Sequence, residues 1–212
     1  MNISLTRSTF ILAGALVAAA VSSFTVTANG ATGRDAKHTD AHSQAALDRQ
    51  LTLARDATVK YATNLAAARR SGYRIITHNV PGLGFRFMNA AVQGFDVRKP
   101  PILVYEHRGQ TWQLGAIEWV FASKPAQPPL PGASYGSFRA GCHYTDGTFV
   151  PAGDRAACPK SAPGTEAAFS FWHPRLITMN VWLWSANPAG LFAKTNPTVD
   201  YENPLVAAYA AR

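Results

Sequence analysis

Three polar side chains lie inside segments that otherwise read as apolar β-strands, and they are the first candidates for a functional site. Arg86 occurs in the run GFRFMN, Glu118 in LGAIEWV, and Asn180 directly before VWLW. An unpaired charge buried in such a strand costs several kcal/mol, so Glu118 needs a partner. Because successive strand residues point to opposite faces, Arg86 turns away from its two phenylalanine neighbours and becomes a candidate partner. The alternative is that these groups together bind a small polar or anionic ligand.

The residues around Asn180 extend the candidate ligand site to His173, Trp182 and Trp184. Alternation puts both tryptophans on the face of Asn180 and the aliphatic residues of the same strand on the core face. An exposed platform for stacking sugars is disfavoured, because tryptophans in a sheet that packs on a helix are usually buried. His173 precedes a proline, which is typical of a turn histidine bonded to backbone, and facing a ligand is its alternative role.

Metal and thiol chemistry have weaker support. His38 and His42 flank Asp40 at a spacing that can hold copper or zinc on one helical turn, but the segment reads more simply as a solvated tail. No metal site is therefore predicted, and the identity of any cofactor stays open. Cys142 and Cys158 are the only cysteines, too few for a structural zinc site, and their short separation predicts a disulfide in an oxidising compartment.

The N-terminal segment has the build of a secretory signal peptide. Arg7 is followed by an uncharged, alanine-rich run to about Phe24, and small residues offer cleavage after Ala28 or Ala31. We predict a signal peptide at 1–28, a flexible polar leader at 29–42 and a single domain at 43–212. The expected location is secreted, periplasmic or in the cell envelope, with no transmembrane segment after signal removal.

The charge pattern bears on the class of partner. The chain is basic, with a formal net charge of +8. Its cations are scattered and form no run of five or more, so a nucleic-acid partner is not predicted. A small molecule or an anionic ligand from the cell envelope is compatible with this charge.

The hydrophobic periodicities predict an α+β domain with one long N-terminal helix packed on a mainly antiparallel sheet. Apolar residues spaced by three and four predict a helix over 43–73, capped by Asp40 or Ser43 and ended by Gly72. No second long helix follows, so parallel crossovers between strands are not available. By strand alternation, the side chain of Leu114 is expected on the same face of the sheet as that of Glu118. Runs of β-branched and aromatic residues predict five or six strands, at 73–78, 85–89, 102–107, 112–121, 144–150 and 176–184, the fifth containing an Asp-Gly hairpin signal.

Several of these runs carry a resemblance to a known family. GLGFRFMN, KPPILVYE, LGAIEW and NVWLWSANPAGLFA occur in this order, and together the similarity covers about 57–196. The chain resembles a family of uncharacterised, exported bacterial proteins, for which the resemblance implies no stated activity. Many members carry histidine where this chain has Arg86 and Asn180, which implies a metal or polar-ligand site in those relatives. Arginine does not bind metal, so the same place here favours an anionic or polar ligand.

Three functional hypotheses follow from these patterns. The leading one is a secreted, non-enzymatic domain that binds a small ligand at Arg86, Glu118 and Asn180 among sheet aromatics. The second is a metal-assisted or acid–base hydrolase that uses Glu118 and His173, which requires both side chains to reach a common point. The third is a structural protein of the cell envelope without a pocket.

Overall fold

The computed structural model describes residues 32–108 and 110–199 and contains two α-helices and nine strands in that part of the chain. None of these helices combines the length and apolar character that a bilayer crossing requires. The predicted signal peptide lies outside the described residues. The elements in chain order are α1 (Thr32–Thr58), α2 (Leu65–Arg70), β1 (Arg74–Val80), β2 (Gly84–Met88), β3 (Ile102–Arg108), β4 (Thr111–Phe121), β5 (Gly136–Phe138), β6 (Gly141–Tyr144), β7 (Phe149–Pro151), β8 (Phe169–His173) and β9 (Leu176–Val181).

The helical segment differs from the prediction at its start. α1 begins at Thr32 and runs through most of the predicted leader, so Asp40 and Ser43 lie inside the helix rather than at its cap. The added turns contain no proline. Their one glycine, Gly33, lies in the first turn, where its low helix propensity costs less than in the helix interior. The predicted domain bounds at 29–42 and 43–212 stay predictions.

The single predicted helix is also divided. A 3₁₀ turn at Val59–Tyr61 follows α1, and Asn64 then caps α2 by accepting a hydrogen bond from the backbone of Ala67. The carbonyl of Tyr61 accepts from the Tyr105 hydroxyl, and the carbonyl of Ala62 accepts from a backbone N–H of β4. The Ala62 carbonyl bonds to the sheet, and the Tyr61 carbonyl is shared between Tyr105 and the backbone N–H of Asn64, so the regular helical hydrogen bonds are interrupted here.

The helices cover one face of a six-stranded antiparallel sheet. The strand order is β1-β2-β3-β4-β9-β5, and each pair of adjacent strands is antiparallel. Leu47, Ala54 and Leu65 pack here against strand residues such as Phe87 and Trp119, all of them buried. The predicted α+β class, with a long helix on a mainly antiparallel sheet, is confirmed.

The opposite face of this sheet is covered by a smaller sheet and by the chain after β9. The smaller sheet has the order β7-β6-β8, and its first two strands are joined at the predicted Asp-Gly turn. Cys142 in β6 and Cys158 form the predicted disulfide. β5 and β8 were not predicted. β5 has only three residues, and the five residues of β8 are too few to show a clear alternation of apolar and polar side chains.

A β-bulge at Gly115 corrects the predicted alternation of β4. Val104 pairs with Ala116, whereas Tyr105 pairs with Leu114, so Gly115 is an extra residue without a partner in β3. Leu114 therefore points into the core under the helices, on the face opposite to Glu118, and the prediction that the two share a face is wrong. The Gly115 carbonyl accepts hydrogen bonds from two backbone N–H groups of the segment after β9.

The start of β2 depends on a glycine, which gives a stability prediction. Gly84 has a φ of +66°, and a Cβ at this position would collide with the carbonyl oxygen of Tyr105. Gly94 has a similar φ of +72° but no atom within 4 Å of an added Cβ. We expect Gly94→Ala to lower the free energy of unfolding by about 1 kcal/mol, from backbone strain alone. Gly84→Ala adds about 1–3 kcal/mol of steric cost to that strain.

Urea unfolding of the two variants beside the parent protein measures the difference. Equal losses in Gly84→Ala and Gly94→Ala would contradict the close approach of β2 to β3.

Candidate functional site

A buried ion pair forms the centre of the candidate site. Nε of Arg86 donates a hydrogen bond to Oε2 of Glu118 over 2.7 Å, and the two side chains are 6% and 1% exposed. β3 lies between their strands, so the arginine reaches across it on the face opposite to the helices. Arg86, one candidate partner of Glu118, is the residue that pairs with it.

Asn180 lies beside this pair, because its register partner across the β4–β9 ladder is Glu118. Its Nδ2 donates to the carbonyl oxygen of Lys194 over 3.2 Å. Since a carbonyl only accepts, this contact fixes the orientation of the amide. Oδ1 is then an acceptor that is buried without a hydrogen-bond partner among the described residues. Arg86, Asn180 and Thr178, all nearly buried, form what we call the floor of the site.

A pocket of about 590 Å³ opens above this floor. Three exposed cations, Arg139, Arg175 and Lys194, stand around it, and we call them the rim. Arg175 contacts the hydroxyl of Ser137 over 3.5 Å. Of the described residues that line the pocket, none is acidic. The remaining lining residues are Val80, Leu83, Phe138 and Phe149.

Five rings form an aromatic cluster between the two sheets, beside the pocket: Phe138, His143, Phe149, Phe171 and His173. The two imidazole centroids are 5.0 Å apart. Nδ1 of His143 lies 2.6 Å from the carbonyl oxygen of Ile76, and Nδ1 of His173 lies 2.6 Å from that of Pro174. Carbonyls accept only, so Nδ1 carries the proton in each neutral ring and Nε2 is left as an acceptor.

Burial favours the neutral form of both imidazoles. It lowers the pKa of His143 to about 4, and the nearby His173 and Arg86 act in the same direction against the hydrogen bond to Ile76. Burial is also the main reason why the pKa of His173 is lowered. His173 is not among the described residues that line the pocket; it stacks on the lining residue Phe138, and its Nδ1 is bonded to backbone as the proline context indicated.

The two tryptophans that alternation placed together are separated. β9 ends at Val181, so the period of two no longer applies to the residues that follow. Trp182 packs on the face of the pair, where its Nε1 donates to the carbonyl of Ala193 over 2.8 Å. Trp184 lies on the helix side, with its Nε1 donating to Thr58 Oγ1 over 3.1 Å. Neither lines the pocket, although Trp182 holds the segment that carries Lys194.

The described residues contain no group of three side chains that could hold a metal ion. His42 is exposed on α1, and the side chain of His38 lies outside the described residues.

The rim cations are the residues that sequence reasoning missed. Arg139 follows the unpredicted strand β5, Arg175 precedes β9, and Lys194 comes after it. They lie far apart in the chain, so they produce no run of charge. The one available signal was the proximity of Arg175 to His173 in the same short segment.

The sequence matches no protein-family model, no curated protein and no solved structure. The resemblance to the family of exported bacterial proteins therefore stays a prediction.

The buried pair gives a prediction on stability. Arg86→Met leaves Glu118 as an uncompensated buried charge. Glu118→Leu leaves Arg86 as an uncompensated buried charge. We expect each single variant to lower the free energy of unfolding by about 3–5 kcal/mol. The double variant Arg86→Met/Glu118→Leu is expected to lose much less than the sum, because no charge is left unpaired.

Denaturant unfolding of the four proteins measures this coupling. Arg175→Met is a matched control, in which an exposed arginine is removed and stability changes by less than about 0.5 kcal/mol. Additive losses in the double variant would contradict the pairing.

The neutral histidines give a prediction on pH dependence. Below pH 6.5 the unfolded chain binds more protons than the folded one, so stability falls as the pH falls from 6.5 to about 4. A pKa lowered from 6.5 to about 4 in His143 corresponds to a loss of about 3 kcal/mol over this range. His143→Asn places an amide nitrogen near the position of Nδ1 and does not titrate.

We therefore expect a flatter dependence of the unfolding free energy on pH in His143→Asn than in the parent protein. Equal slopes in urea titrations across this range would show that His143 is not buried in its neutral form.

Proposed function

We propose that the protein binds a small anionic ligand in the pocket above Arg86 and Asn180 and that it does so without chemical turnover. The observation that carries the proposal is the sign of the lining charge. Four cations, Arg86, Arg139, Arg175 and Lys194, line the pocket, and no carboxylate among the described lining residues opposes them.

The pocket has unbalanced positive charge, although Arg86 itself is neutralised by Glu118. The three rim cations are not paired with a carboxylate of the described part of the chain. Like charges around one concave site raise its potential and attract an anion, and low-dielectric walls strengthen this attraction. Phe138 and Phe149 supply such walls.

The floor supports a ligand that carries polar groups besides its charge. Asn180 offers an amide oxygen that is buried without a partner in the described chain, and Thr178 lines the same pocket. A buried acceptor without a hydrogen bond costs about 1–3 kcal/mol, which a hydroxyl or N–H group of a ligand or of a bridging water can offset. An acid with hydroxyl groups, such as a sugar acid, satisfies both the rim and the floor.

Binding is favoured over acid–base chemistry by the state of the titratable groups. Glu118 is oriented towards Arg86, and His173 has its Nδ1 proton committed to a backbone carbonyl. Glu118 and His173 are thus each bonded to a different group, whereas the hydrolase hypothesis requires both side chains to reach a common point.

The proposal includes export of the chain to the periplasm, the cell envelope or the medium. The disulfide between Cys142 and Cys158 supports it, because such bonds persist mainly in oxidising compartments.

Isothermal titration with D-glucuronate, and with D-glucose as the uncharged counterpart, tests the proposal. We expect glucuronate to bind, glucose not to bind, and affinity to fall with added salt. Arg175→Gln/Lys194→Gln should weaken binding roughly tenfold or more, because each charge-assisted hydrogen bond contributes about 1.5–3 kcal/mol.

The control removes the same charge elsewhere. Arg69→Gln/Arg70→Gln changes two exposed arginines that line a different depression, and it should leave the affinity unchanged. Equal weakening by both double variants would attribute binding to net charge and overturn the assignment to this pocket.

A further inference from the structure

A second depression adjoins the pocket at the edge of the large sheet. This depression has a volume of about 580 Å³ and shares Ser137, Arg175 and Lys194 with the pocket. It adds Lys124 and Tyr135, and again no described lining residue is acidic. We call the two together the basic groove. Each half is large enough for a small molecule, so the groove holds more than one sugar-sized unit.

We propose that the natural ligand of the basic groove is a linear anionic polysaccharide, of which one charged sugar occupies the pocket and the next lies beside Lys124. This inference rests on the proposed function and extends it from a single acid to a chain of them.

The distribution of charge supports a repeating anion rather than a single one. Lys124, Arg139 and the shared pair Arg175 and Lys194 are exposed cations spread over both halves of the groove. A monovalent acid in the pocket leaves Lys124 without an anionic partner. A charged polymer places a carboxylate near each end of the groove, and the links between units make the second contact intramolecular.

The aromatic residues of the groove count against a nucleic acid as its ligand. Proteins that bind single-stranded nucleic acids stack bases on open aromatic faces. Phe138 has the Arg86 guanidinium over its ring at 5.8 Å and His173 stacked on it at 5.0 Å. The ammonium of Lys124 lies over the ring of Tyr135 at 5.5 Å. These faces are covered.

Hydrogen-bonding groups in both halves fit sugar hydroxyls. Asn180 belongs to the floor, Ser137 lines both halves, and Tyr135 lines the second depression. The Asn180 oxygen and the Tyr135 hydroxyl are both buried without a partner in the described chain. Each unit of a sugar-acid polymer carries hydroxyl groups, which donate and accept hydrogen bonds, so the polymer offers partners to both halves of the groove.

The test compares oligogalacturonates of defined length on the purified protein by isothermal titration. We expect the affinity to rise roughly tenfold or more from the monosaccharide to the tetrasaccharide. Lys124→Gln should lower the affinity for the tetrasaccharide several-fold and leave the affinity for the monosaccharide unchanged. Lys99→Gln, which removes an exposed lysine outside the groove, should change neither.

Three outcomes would overturn the inference. Equal affinity for monosaccharide and tetrasaccharide, with no effect of Lys124→Gln, rejects the groove but leaves the proposed function intact. Tighter binding of a short polyphosphate or of single-stranded DNA than of the tetrasaccharide rejects the sugar polymer. Failure of every acid to bind, glucuronate included, rejects the proposed function as well.

Discussion

The buried pair of Arg86 and Glu118 is the constraint on which the rest of the site depends. Two charges lie in the middle of a sheet, on strands that are separated by a third, with almost no access to solvent. Removing both from water is costly, and only their close contact and the surrounding polar groups offset this cost. Asn180 and Thr178 are buried on the same face, whereas apolar side chains fill the face under the helices. The polar groups are thus concentrated on one side of the sheet.

The two faces of the large sheet differ in how they are covered. The helix face carries the larger apolar core and fixes the sheet. The other face is closed only in part, by the small sheet and by the chain after β9, and the uncovered area is the pocket. The bulge at Gly115 links the faces, because its carbonyl accepts from the backbone of Trp184 and Ser185. These hydrogen bonds fix the start of the segment after β9. Its later part is held at the rim, where Trp182 donates to the carbonyl of Ala193 and Asn180 donates to that of Lys194.

Much of the fold follows from local sequence patterns, because helix periodicity and strand alternation are local properties. The long helix, the antiparallel sheet, the disulfide and the pairing of Arg86 with Glu118 were all accessible in this way. The bulge at Gly115, the end of β9 at Val181 and the break after α1 were not, since each depends on backbone hydrogen bonds to distant segments. The rim was missed for the same reason, because Arg139, Arg175 and Lys194 meet only after β5 joins β9.

The proposed binding of anions is specific to the groove and does not extend to another basic surface of the protein. The chain contains an internal comparison, since Arg69, Arg70 and Arg74 line a separate depression of about 500 Å³. The most direct measurement is a titration with galacturonate tetrasaccharide, followed by nitrogen NMR of the arginine Nε–Hε groups with assigned signals. Binding in the groove predicts shifts at Arg86, Arg139 and Arg175 that saturate together, while the signals of the other three arginines stay in place. Shifts confined to Arg69, Arg70 and Arg74 would contradict it.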